Sequence, residues 1–192
     1  MILWRNLIGT VIRMKYIAAV CVFAVMITSC GAGKDETVIR STLESFFADY
    51  HGDFRKIEGK YLSADLRAKI SAYMERENRE AEKIARSDSP TDKPDMFDSD
   101  IFNASGDEFS SYEIQRVTVK NRRAEVRVRY VVKAVRKDDH DIFWTDTVIF
   151  VREGGWRIDD VFYGGLNGRP EATTSPIIPD LKQLLDSYIG KP

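Results

Sequence analysis

Cysteine is nearly absent from this chain, with only Cys21 and Cys30 among 192 residues. Both lie before residue 31, so a domain built from the rest has no thiol. That excludes a disulfide framework, a thiolate metal site and a cysteine nucleophile, and leaves stability to the core. Histidine is as scarce, with His51 and His140 alone. No apolar run reaches the roughly 20 residues that a membrane-spanning helix needs; the longest, Tyr16 to Thr28, covers 13. Charge of one sign does not dominate either. Residues 1–29 carry three of the 29 basic residues and none of the 30 acidic ones, so 26 basic residues face 30 acidic ones in the remainder. A mildly acidic balance of mixed sign argues against nucleic acid as a partner.

What is present begins with an address. The basic residues Arg13 and Lys15, the apolar run and the small residues Thr28 and Ser29 precede Cys30. This resembles a bacterial lipoprotein signal. The resemblance implies that residues 1–29 are a removed signal peptide and that Cys30 is lipidated. The protein is then held in the cell envelope, at the outer membrane. An uncleaved N-terminal anchor is the alternative, and either reading tethers a domain to a membrane. Several acyl chains hold such a domain durably, where one gives marginal binding. Met14 competes with Met1 as the start. Residues 30–35 read as the lipidated cysteine and a short flexible tether. The Lys34-Asp35-Glu36 run is similar to the acidic signal of surface-exported lipoproteins, and Asp35 also reads as a helix N-cap with Glu36 in the first turn.

Periodicity then predicts the elements. Ile39, Leu43, Phe46, Phe47 and Tyr50 recur at helical spacing, which predicts a first helix over 36–50, closed at Gly52. Ser63 reads as the N-cap of a second helix with Leu66, Ile70, Tyr73 and Met74 as its buried stripe. Beyond Glu75 this helix turns highly charged and reads as solvated, supported by Glu75 with Arg79. From Tyr112 the period changes to two. Ala124, Val126, Val128, Tyr130, Val132 and Ala134 alternate with charged residues, as in a half-buried strand. Ile142–Val151 is apolar on both phases, as in a central strand. Gly154 and Gly155 turn the chain into a last strand at Trp156–Tyr163. A Pro/Thr/Ser-rich connection leads to an amphipathic helix at 180–189, closed by Gly190.

Two helices, a crossing segment and an antiparallel meander ending in Gly154-Gly155-Trp156-Arg157-Ile158-Asp159-Asp160-Val161 resemble the exported members of the NTF2-like superfamily. So do Leu43–Tyr50 and the aspartate-rich segment Asp95–Phe102. The resemblance covers residues 36–165 and leaves 166–192 as a C-terminal extension with a short helix. It implies an α+β fold of the NTF2-like/cystatin-like cone type: two N-terminal helices on a curved antiparallel sheet, plus the C-terminal helix. In that fold a cavity opens at one end and houses isomerases, dehydratases, ligand binders and scaffolds alike, so it does not select a function.

The candidate site residues follow from that expectation. Tyr50, Tyr130, Trp144 and Tyr163 are aromatics suited to an apolar pocket with polar tips. Asp98, Asp100 and His51 are candidate acids or bases, and Asp160 is the member of the Asp159-Asp160 pair expected to face the cavity, because neighbours on a strand point oppositely. His140, among aspartates between two strands, reads as an exposed hairpin tip. The trio Asp95, Asp98 and Asp100 lacks the Gly and Glu of an EF-hand loop, and no metal or cofactor is expected. The run Arg122, Arg123, Arg127 and Arg129 reads as a solvated face or an anion contact. No catalytic set is matched. The leading expectation is a binding module for a small apolar ligand or an envelope protein. A cavity enzyme with an Asp or His base, or an interaction or immunity protein, are the alternatives.

Overall fold

The computed structural model describes residues 33–94, 97, 100–103, 109–134, 140–164 and 180–190. Cys30 and the rest of residues 1–32, Asp95, Asp98 and residues 165–179 lie outside them. The chain divides into two units, residues up to Val38 and Ile39–Pro192. In the first, residues 33–38 are helical, and Thr37 Oγ1 donates to the Gly33 carbonyl at 2.9 Å. Asp35 therefore lies within the helix rather than at its N-cap, and the backbone is already helical at residue 33, ahead of the start at 36 that the apolar pattern predicts.

The second unit is α+β. Its helical residues 39–49 (α1) are followed by a single 3-10 turn at Phe54–Lys56 and the helix α2 at Ala64–Ala85. Four strands come next: β1 Ser111–Lys120, β2 Arg123–Val132, β3 Ile142–Arg152 and β4 Trp156–Phe162. They pair antiparallel in the order β1-β2-β3-β4. Helix α3, Leu181–Ile189, closes the chain. Among the described residues no helix is long and apolar enough to cross a membrane.

Local sequence sets each boundary. Gly52 at φ 78° supplies the left-handed residue after α1. Ser63 Oγ accepts from Leu66 N at 3.0 Å and caps α2. Asn121 at φ 57° makes the β1–β2 turn, a conformation asparagine tolerates, and Gly154 at φ 67° makes the β3–β4 turn. Asp180 caps α3 by accepting from Gln183 N.

One face of the sheet carries the core. Val126, Val128 and Tyr130 from β2 and Trp144, Val148 and Phe150 from β3 are buried against Ile39, Leu43 and Phe46 of α1 and Leu66, Ile70 and Tyr73 of α2. The charged half of α2 departs from the solvated reading. Arg76 and Glu77 are buried, and Glu77 is held by Arg55 of the 3-10 turn at 2.6 Å. The local pairs are Lys83 with Glu80 and Arg86 with Glu82, not Glu75 with Arg79. Arg76 and Glu77 share the buried side with Tyr73, about one turn away, so the helical period continues beneath the charge.

Each edge strand makes a contact outside the sheet. Ser63 N donates to the Ile158 carbonyl at 2.7 Å and Ile158 N to the Tyr61 carbonyl at 2.8 Å, a short parallel bridge along β4. On β1, Arg40 reaches the Ile114 carbonyl at 2.9 Å, beside the bulge between Ile114 and Arg116. Such devices stop an edge from templating another chain.

Candidate functional site

Strand register builds the site. Tyr130 lies opposite Trp144, and Val128 opposite Asp146, while Tyr112 lies opposite Tyr130 on the other side. The period of two then turns Tyr130, Trp144 and Asp146 to the covered face, where all three are fully buried. Tyr130 and Trp144 stack with centroids 5.3 Å apart and planes 18° from parallel. Phe109 and Phe47 close over Tyr130 at 4.9 and 5.9 Å.

Around this pair the polar groups fall into two kinds. Several are fully employed. Tyr50 Oη donates to Asp100 Oδ1 at 2.5 Å, which also accepts from Phe102 N at 2.7 Å. Asn103 Nδ2 donates to Asp100 Oδ2 at 2.6 Å. Tyr163 Oη donates to the Ile101 carbonyl at 2.5 Å. Asp146 Oδ1 accepts from Gly164 N at 2.7 Å. Two others are not employed. Tyr130 Oη and Trp144 Nε1 are buried and have no hydrogen-bond partner among the described residues.

The electrostatics follow burial. Desolvation is the largest cause of the raised Tyr130 and Tyr163 phenols, with the negative charges of Asp146 and Asp100 adding to it. Tyr50 is raised by burial and then by Asp100. Burial also raises the Asp100 carboxyl, while its hydrogen bonds from Tyr50, Phe102 N and Asn103 pull the other way. All three phenols are therefore neutral donors at ordinary pH.

Of the residues singled out from sequence, Tyr50, Asp100, Tyr130, Trp144 and Tyr163 share this region. His51 and His140 are exposed, and Asp98 and Cys30 lie outside the described residues. Asp160 belongs elsewhere. Asp159 is the extra residue of a bulge in β4, between the pairs Phe150–Ile158 and Ile149–Asp160, so strict alternation does not hold across the pair. Both carboxylates serve one junction. Asp159 accepts from Ser63 Oγ at 2.7 Å and from Lys182 Nζ at 2.8 Å. Asp160 accepts from Lys182 N at 3.1 Å, and burial raises its carboxyl. Together they dock α3.

Sequence reasoning missed Asp146, Asn103 and Gly164. Asp146 had a signal: it is the one charge in the inward phase Trp144, Asp146, Val148, Phe150 of a strand otherwise apolar there. Gly164 is required by contact, since a Cβ at that position would fall on the Thr145 carbonyl oxygen.

Chemically, the arrangement offers two neutral donors on an apolar wall beside a buried carboxylate. A second negative charge beside that carboxylate would be disfavoured. Asp100 is a poor general base here, since three donors already occupy its oxygens. A scan against protein-family models, a search of curated proteins and a search of solved structures each found no match to this chain.

Proposed function

We propose that this protein is a cell-envelope lipoprotein, anchored through lipid on Cys30, whose domain is an NTF2-like cone that binds a small, largely apolar ligand. The ligand's oxygen acceptors meet Tyr130 Oη and Trp144 Nε1. The observation that carries this reading is that pair of buried donors without partners. Buried polar groups in folded proteins are nearly always hydrogen-bonded, and each exception needs an explanation. A ligand that brings the acceptors is one that also explains the aromatic wall around them. Binding is favoured over catalysis because Asp100 and Tyr50 satisfy each other.

The test is native mass spectrometry of the full-length protein, purified from membranes in mild detergent and incubated with an envelope lipid extract. A small non-protein mass retained by the wild type and lost in a Tyr130→Phe/Trp144→Phe double variant supports the reading. The same retention in both, or none in either, contradicts it. Cys30→Ala tests the anchor separately: the lipid mass carried by the wild-type chain should be missing from the variant, and its persistence would contradict lipidation at Cys30.

A further inference from the structure

The outward face of β1 and β2 carries a second feature that the buried site does not use. Lys120 lies directly opposite Arg123, and Arg116 directly opposite Arg127. All four side chains are exposed, and none makes an ion pair among the described residues. Their acidic neighbours are few: Glu125 between the two pairs and Glu113 beyond them, opposite Arg129. Arg129 itself lies over the Phe143 ring at 4.5 Å.

Like charges directly opposite each other across a strand pair are destabilising, so the fold gains nothing from this arrangement. At the hairpin end, Thr118, Lys120, Asn121, Arg122, Arg123 and Glu125 line a groove of about 510 Å³. Arg122 there donates to the Arg152 carbonyl at 2.8 Å, which fixes its guanidinium without neutralising it, and Lys120 and Arg123 face each other beside it. The Arg116–Arg127 pair stands about 13 Å further along the strands, four residues at roughly 3.3 Å each. That spread is too wide for one small anion. It matches an array of phosphates presented in a plane.

We propose that this end of the outer sheet face is a docking surface for the phosphate head groups of an anionic bilayer, with Lys120 and Arg123 seated first and Arg116 and Arg127 extending the contact. Basic residues near such a surface each add to binding, and the contribution falls with salt. The inference stands apart from the buried ligand site and does not use the lipid on Cys30.

The experiment uses the full-length chain carrying Cys30→Ser, held in neutral detergent micelles so that no acyl anchor contributes. Amide resonances from Thr118 to Glu125 are followed while dihexanoyl-phosphatidylglycerol is added, with dihexanoyl-phosphatidylcholine and inorganic phosphate as parallel arms. The expected result is saturable shifts with the anionic lipid alone, weakened about tenfold or more by Lys120→Glu/Arg123→Glu. Resonances elsewhere should stay in place in that variant, which shows that the fold is intact. Equal shifts with the zwitterionic lipid, no shifts at all, or no loss in the variant would each overturn the proposal. Saturation by inorganic phosphate to the same extent would overturn it as well, since the groove would then be a pocket for a single anion.

Discussion

Tyr130 lies almost flat on Trp144 across the β2–β3 register, with planes 18° from parallel, and neither heteroatom has a partner among the described residues. The stacking holds both rings in place, so neither donor turns away to find an acceptor without breaking the pair. A buried donor left unmade costs about 1–3 kcal/mol. Carrying two such groups in the core lowers stability, and on the proposed function an acceptor-bearing ligand would recover that loss.

Gly164 fixes the far side of this region. A methyl group there meets the Thr145 carbonyl, and moving it displaces the amide that donates to Asp146. Gly164→Ala should therefore cost about 1–3 kcal/mol in urea unfolding, the usual range for overpacking. A midpoint equal to the wild type would show that the chain passes Thr145 differently.

The Asp100 carboxyl gives stability a pH signature. Burial raises its pKa above the ordinary value of 3.8, so the folded chain holds the proton more tightly than the unfolded one. Its contribution is full below the ordinary value and is lost as pH rises through the folded-state value. Other carboxylates, such as Asp65 beside Lys182, are lowered and act in the opposite sense. The comparison therefore needs Asp100→Asn as reference. The stability of wild type minus variant should fall as pH rises above the ordinary carboxyl value, and a flat difference contradicts the assignment.

Arg55 is the partner of a glutamate that is nearly enclosed, with Glu77 Oε1 at 2.6 Å and its other oxygen unpartnered among the described residues. Arg55→Met leaves that charge alone and should cost about 1–3 kcal/mol. Adding Glu77→Gln should restore most of the loss. Denaturant curves of the single and double variants decide it, and equal stability of all three would mean that the pair contributes nothing.

The facing cations Arg116 and Arg127 imply a gain on substitution. Arg127→Glu should stabilise the domain by roughly 0.2–1 kcal/mol, the scale of a cross-strand charge pair, and more so at low salt. A loss of stability would indicate that Arg127 has a structural partner.

Much of the architecture was legible because period alone determines it. Ile39, Leu43 and Phe46 specify the buried side of α1, and the alternation from Ala124 to Val132 specifies β2 and, through register, the face that holds Tyr130. Ser63 announced the cap of α2. Two of the misreadings share a cause: a local pattern was overridden by a partner distant in sequence. Arg76 and Glu77 look solvated until Arg55 is brought to Glu77 by the 3-10 turn. Asp159 and Asp160 look opposed until a bulge gives both to Lys182, from a helix some twenty residues on. His51 follows an aromatic helix end, yet the turn at Gly52 leaves it exposed. The site was half visible. Its aromatics could be named, but the Tyr50–Asp100 contact spans 50 residues, and the absence of partners at Tyr130 and Trp144 exists only in three dimensions.

The most direct test is therefore Tyr130→Phe, which removes one hydroxyl and nothing else. Thermal unfolding of wild type and variant should be recorded without ligand and with the envelope lipid extract. The account predicts that the variant alone is as stable as the wild type or more so, by up to about 1–3 kcal/mol, while its stabilisation by the extract is reduced or lost. A variant that is less stable alone, yet responds to the extract as the wild type does, would contradict it, because the hydroxyl would then be serving the fold and not a ligand.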